Sequence, residues 1–300
     1  MSTISCTVHR DQGFNPYLQS VRYQATTIHK GTAMISAQTI TIQPSDRVYA
    51  PDDRNTLVRI AGHQSNQPKP GPAISAINGA LKAFVSHNAY PCVGAKAALN
   101  KDAYRIAQYA GLGRHSSIVE CTHDIQWFAA NADQIDPDTA SFVAVFDDPS
   151  ITNEEDFEDK LWTQLQGMHD IDSLTFDWDP AVSSDPVDPD FSFSIAGRAF
   201  FIVGMHPQAA REARRFPYPT LIFNLHDQFE AMREQGRYER MRDTIREREE
   251  SLAGSPNPLL ADHGTTSEAQ QYAGRPHACP WHPEFKTRTA SSHNAPENHK

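Results

Sequence analysis

Long apolar runs are missing from this chain of 300 residues. No segment approaches the roughly 18 consecutive apolar residues that a spanning helix needs, and the first residues lack a basic start followed by an apolar stretch. The expectation is a cytoplasmic protein with no membrane partner. Cysteine is scarce: Cys6, Cys92, Cys121 and Cys279 lie far apart and form no C-x-x-C pair, which disfavours a disulfide framework and a structural zinc site. Basic charge is also short, with 27 Lys and Arg against 37 Asp and Glu and a net charge of -10, so a nucleic-acid partner is not expected. There is no GxGxxG, Walker A loop, HExxH or GxSxG, and His115 beside Ser116 and Ser117 makes no triad by adjacency.

Hydrophobic residues make up 39% of the chain and are concentrated in its middle. Residues 1 to 72 are rich in Ser, Thr, Gln, Asn and Pro, and Lys286 to Lys300 has no apolar run. This predicts a poorly ordered extension over 1–72, one domain over 73–282 and a disordered tail over 283–300, since the ends bury too little apolar surface to offset chain entropy. The acidic clusters Asp147 to Asp159 and Asp177 to Asp190 read as solvated loops.

Within the domain, helical spacing predicts helices over Ala73–Val85, Cys92–Ala110 and Asn153–Met168, with further helices at Gln208–Arg215, Leu225–Glu234 and Tyr238–Leu252. Ser141–Phe146 and Thr220–Phe223 have strand character. Residues 191–204 read as an antiparallel hairpin turning at Ala196, Gly197 and Arg198, and turns are expected at Pro256–Pro258 and His263–Thr265. The pattern predicts an α+β fold: a single domain with a small, mainly antiparallel sheet flanked by several helices.

Four groups of residues carry candidate chemistry. Cys92 follows Tyr90-Pro91 at an expected helix start, where unpaired amides, the helix dipole and Lys96 would depress its pKa and suit it to be a nucleophile or metal ligand; a buried inert thiol is the competing reading. His206 stands where a strand gives way to Pro207, a position for an iron ligand or a general base, or for a hydrogen-bonded loop histidine. Arg211 and Arg215, at helical spacing, would hold carboxylates by forked hydrogen bonds or form a solvated basic face. The run Asn224 to Glu230 offers Asn224 as an N-cap and Asp227 and Gln228 as pocket groups, and Ser267 to Arg275, with Glu268 and Tyr272, reads as a polar loop ordered by a ligand or by the core.

Six short motifs recur in a recognisable order: Tyr90-Pro91-Cys92, His206-Pro207, Phe223 to Phe229, Asn257-Pro258, Ser267 to Arg275 and Cys279-Pro280-Trp281. Together they resemble the YqcI/YcgG family, known for its FPC and CPF motifs, with Tyr90 and Trp281 in place of the usual phenylalanines. The resemblance spans about residues 75 to 282. It implies a haem-dependent monooxygenase, since members with known chemistry are N-hydroxylases of guanidino groups such as that of arginine, and it implies a non-covalent haem b. Small-molecule substrate, O2 or peroxide, and an electron donor are the partners implied. Thiolate ligation favours oxygen activation, so Cys92 is the expected iron ligand and His206 the alternative, or else a distal catalytic group beside Glu268. Arg211, Arg215, Asn224, Gln228, Tyr272 and Arg275 are the expected cofactor contacts. The alternatives are a haem sensor or carrier without turnover, and a haem-free thiol enzyme using Cys92 and Cys279.

Overall fold

The computed structural model describes residues 42–52, 56–60, 72–255, 265–277 and 281–288, with the two-residue strands 28–29 and 32–33. In chain order the elements are β1 (Ile28–His29), β2 (Thr32–Ala33), β3 (Val48–Pro51), β4 (Leu57–Arg59), α1 (Pro72–Ser86), α2 (Val93–Asn100) and β5 (Tyr104–Tyr109). They continue with α3 (His115–Ile135), β6 (Ser141–Phe146), α4 (Glu154–Asp172), β7 (Phe193–Ile195), β8 (Arg198–Met205) and a 3-10 turn at Glu212–Arg214. The last are β9 (Thr220–Leu225), α5 (His226–Glu234), α6 (Tyr238–Ala253) and α7 (Ala269–Tyr272).

Strands β1 and β2 pair with each other, and the other seven form one sheet in the order β4-β3-β5-β6-β9-β8-β7. Only β5 and β6 run parallel, joined through α3; all other neighbours in this sheet are antiparallel. The α+β architecture expected from sequence is therefore the one observed.

Every residue of β6 is buried, because both faces of the strand are covered. Phe142, Ala144 and Phe146 face a core shared with Phe128 of α3 and Phe157, Leu161 and Leu165 of α4. Val143 and Val145 face a second core with Ile77 and Leu81 of α1, Tyr104 and Ile106 of β5, and Phe216. At roughly 1.5–3 kcal/mol for each large apolar side chain fully buried, these two layers hold the sheet. The β7–β8 hairpin closes through Ala196 and Gly197 at φ 55° and 70°, the left-handed pair that a two-residue hairpin requires. The Ala196 amide donates to both oxygens of Asp172 at 3.1 and 3.0 Å, which fixes that turn on the end of α4.

Four expectations are corrected. The helix predicted over Cys92–Ala110 stops at Asn100: Asp102 takes φ 50°, the Ala103 amide closes back on the Ala98 carbonyl, and residues 104–109 alternate as a strand. The predicted helix Gln208–Arg215 is a 3-10 turn only, preceded by extended backbone at Arg211 (φ -81°, ψ 125°). Residues 1–72 do not all lie outside the fold, since β3 pairs with β5 and Ser45 donates from its amide and hydroxyl to buried Asp124 at 2.6 and 2.8 Å. Nor is 283–300 all tail: Phe285 is buried against Trp162, His169, Trp178, Phe191 and Phe193, and the Lys286 amide donates to Gln166 at 2.7 Å. The remainder of both ends, and the turns at 256–264, lie outside the described residues. His115–Ile135, unassigned from sequence, is the 21-residue helix α3. No helix among the described residues is long and apolar enough to cross a membrane.

Phe285→Ala is expected to destabilise the domain by about 3 kcal/mol, the usual cost of emptying a buried phenylalanine site. A urea-unfolding midpoint that does not move would show that this segment is not part of the core.

Candidate functional site

His206 follows directly on β8, and its placement is set by Met205, which is buried in the second core, and by its own backbone amide, which donates to the Arg214 carbonyl at 3.0 Å. The residue is 0% exposed, its ring stacks on Phe157 with centroids 4.2 Å apart, and neither ring nitrogen has a hydrogen-bond partner. Burial, followed by the nearby Arg214 charge, pushes its pKa down to about 4, so the imidazole is neutral at physiological pH. Gly204 permits this packing: a Cβ there would meet the Tyr272 carbonyl at 2.6 Å and the Phe157 ring at 2.7 Å.

Arg214 is the charged centre of the neighbourhood. Its Nη1 donates to the Gly204 and Tyr272 carbonyls at 2.9 and 3.3 Å, and its Nη2 to the Gln271 carbonyl at 3.2 Å. Its charge acts on Tyr90 and Cys92 as well as on His206, so the first, second and fifth motifs meet here. Arg215 is committed to the Ala209 and Ala210 carbonyls at 2.9 Å each, and Arg211 donates to the Ser255 carbonyl at 3.2 Å with Glu249 at 3.9 Å. With no helix between them, the two arginines do not form the forked pair expected from their spacing.

Cys92 does occupy the helix start: it is the N-cap of α2, and its sulfur accepts from the Ala95 amide at 3.3 Å. The expected depression of its pKa is not found. Burial pushes the thiol up and outweighs the Ala95 and Gly94 amides and the Arg214 charge. Lys96, expected to help, turns away and donates to the His87 and Asn88 carbonyls at 2.9 and 3.2 Å.

A second polar centre lies at the far end of β8. Glu268 Oε1 accepts from Ser192 Oγ at 2.7 Å and from Tyr272 Oη at 2.6 Å, and His226 Nδ1 stands 3.9 Å from Oε2. Tyr272 is fully buried; its carbonyl touches Arg214 near Gly204, while its hydroxyl meets the Phe193 amide and the Phe200 carbonyl. From Phe200 to Gly204 is about 13 Å of strand, so Glu268 and His206 are separate centres linked by one tyrosine. Burial pushes Glu268 up to about 8 despite its two hydrogen bonds, leaving it protonated at neutral pH.

The other expected contacts have structural partners. Asn224 is not an N-cap; its Oδ1 accepts from Ser141 at 2.9 Å and its Nδ2 donates to the Phe201 carbonyl at 3.3 Å, within the sheet. Gln228 donates to the Asp136 carbonyl at 3.4 Å, and Asp227 pairs with Arg198 at 2.5 Å. Glu230 pairs with Arg233 and, at 3.1 Å, with His226. Arg275 is tied to Glu158 at 2.5 Å and Glu155 at 3.2 Å, and His277 shares Glu158 at 2.5 Å while stacking on Trp281. Burial tends to raise Glu158, but His277 and Arg275 hold it below the usual carboxylate range. Glu158 and His277 were not picked out from sequence; an acid beside Phe157 on the buried stripe of α4 was the available signal. Asn257-Pro258 and Cys279-Pro280 lie outside the described residues.

For haem, the donor chemistry fits at His206: a neutral imidazole with both nitrogens unspent is the form that binds iron. The ring is 0% exposed and covered by Phe157, so a flat macrocycle does not reach it in this arrangement. No cluster of three or more His, Cys, Asp or Glu side chains suited to a bare metal ion occurs among the described residues.

The sign of the Glu268 shift gives a test. Its folded pKa of about 8 exceeds the ordinary value of 4.5, so its contribution to stability is complete below about pH 4.5 and is lost as pH rises to 8. Glu268→Gln keeps an acceptor for Ser192 and Tyr272 without titrating. Its stability measured against wild type is expected to improve steadily between pH 5 and pH 8; parallel pH profiles for the two proteins would refute the buried acid.

The model of the YqcI/YcgG family matches residues 81–284, a span holding the Cys92, His206 and Glu268 centres. No curated relative and no solved structure matches. Because that match covers more than half of the chain, the protein belongs to the YqcI/YcgG family.

Proposed function

We propose that this protein is a cytoplasmic haem-dependent monooxygenase that N-hydroxylates an amino or guanidino group of a small molecule such as an amino acid, with His206 as the iron ligand. The observation that carries the proposal is the fully buried, neutral His206 ring with two unpartnered nitrogens, an arrangement that costs stability unless the ring has another use. Bound haem b would supply activation of O2 or peroxide, with electrons from a separate donor.

The chain's own residues support this reading in three ways. An imidazole already neutral binds iron without losing a proton, whereas Cys92 must first give up a thiol proton that burial holds. This reverses the order of ligands expected from sequence. Burial keeps His206 deprotonated with help from the Arg214 charge, and Arg214, locked onto three carbonyls, fixes the end of β8. Glu268, protonated at neutral pH and hydrogen-bonded to Tyr272, holds a proton in the interior that oxygen chemistry consumes. It sits one tyrosine away from His206, so its role is to store a proton and not to grip substrate.

Expression with a haem precursor should give a coloured protein whose reduced carbon monoxide complex has the band of a histidine ligand. His206→Ala should abolish or shift that band and Cys92→Ala should leave it. A strongly red-shifted band lost only in Cys92→Ala would restore the thiolate reading. A colourless protein, or a band indifferent to both substitutions, would end the haem assignment.

A further inference from the structure

A recess of about 250 Å³ opens between the carboxyl end of α4, the loop around residues 176–184, β7 and the segment 281–288. His169 and Asp172 of α4, Asp177, Trp178, Ser194 and Arg288 line it. His169 and Phe157 are 12 residues apart on α4, or about 18 Å of helix, so this recess is distinct from the His206 centre. We propose that it is a binding site for a small organic cation of the alkylammonium type.

The charge inventory decides the sign of the ligand. From α4 itself, Asp172 is buried and its two oxygens have only two donors, Gln126 Nε2 at 2.8 Å and the Ala196 amide shared between them. A carboxylate offers about four acceptor sites, so roughly half of this one is unspent. His169 accepts the Arg288 amide on Nε2 at 2.8 Å and burial lowers its pKa, so it adds no positive charge. Arg288 brings one cation, but its Nε lies 3.2 Å from Asp170 and its side chain is 54% exposed at the rim. The loop adds the Asp177 carboxylate, while α3 and the hairpin face Asp172 with uncharged groups, Gln126 and the Ala196 amide. Two acids thus remain against no unpaired base.

The walls fit a cation as well. Trp178, packed against His169, Phe191, Phe193 and Phe285 and held through its Nε1 to the Ser183 carbonyl at 3.2 Å, lines the recess with an indole, the best aromatic partner for an ammonium group. Ser194 Oγ accepts the Asp179 amide at 2.9 Å and keeps its own proton to offer. The volume falls below the ~300–1,000 Å³ of drug-sized pockets, which limits the ligand to a few heavy atoms. Burial pushes Asp172 up to about 7, and a bound cation would draw it back to the charged form, so binding should tighten as pH rises through neutrality.

The test needs no haem, so its outcome is independent of the proposed oxygenase activity. Full-length protein is titrated with n-propylammonium, propionate and n-propanol by ligand-observed NMR. Propylammonium alone should bind, more tightly at about pH 8 than at about pH 6, and Asp172→Asn and Asp177→Asn should each weaken it by about tenfold or more, the worth of a charge-assisted hydrogen bond. Asp172→Asn keeps an acceptor for Gln126 and Ala196; should it nonetheless misfold, Asp177→Asn and Trp178→Leu decide the matter. No binding at millimolar ammonium, binding unchanged in the acid variants, or preference for propionate would overturn the proposal.

Discussion

The structure rests on a strand that has no solvent side. β6 is bonded to β5 on one edge and β9 on the other, and both of its faces are covered, so all six of its residues are buried. Such a strand needs a layer of helices above and below, and the chain supplies α3 with α4 on one face and α1 with α2 on the other. Phe142 to Phe146 at the centre of β6 carry no polar side chain, and the two polar centres stand near the ends of β8, His206 just beyond one and Glu268 packed at the other.

Much of this was legible in sequence because it depends on local patterning. The run FVAVF after Ser141 has no polar position for a solvent face, and Ala196-Gly197 between two aromatic runs announces a hairpin. Where the reading failed, a tertiary constraint decided. Val93, Ala97, Ile106 and Ala110 suggest one helix, yet Tyr104, Ile106, Ala107 and Tyr109 must divide between two cores, which only a strand allows. α3 escaped notice because its buried face carries Ser117, Thr122, Asp124 and Asn131 among its apolar residues. Asp124 is satisfied by Ser45 and Tyr109, distant residues that a local pattern cannot reveal. The structure brings the motif residues Tyr90, Cys92, His206 and Tyr272 around Arg214, but which groups hold charge there depends on burial, which sequence does not disclose.

Cys92 shows the point. A helix start with free amides lowers a thiol pKa when water remains nearby. Here the cysteine packs against the second core, and desolvation exceeds the help of two amides and an arginine. Arg214 can do little more because its guanidinium is turned onto backbone carbonyls and not toward the sulfur. Its charge still adds to burial in disfavouring the imidazolium form of His206.

His206 and Glu268 answer the same burial in opposite directions, one held neutral by losing a proton and the other by keeping it. Their contributions to stability therefore slope oppositely with pH. The imidazole's is complete above its ordinary 6.5 and falls away toward about 4, while the carboxyl's is complete below its ordinary 4.5 and falls away toward about 8. Between 4.5 and 6.5 the two slopes cancel, and in the folded protein both buried centres stay neutral from about pH 4 to about pH 8. Tyr272 borders both centres, with its hydroxyl on Glu268 and its carbonyl on Arg214 beside His206.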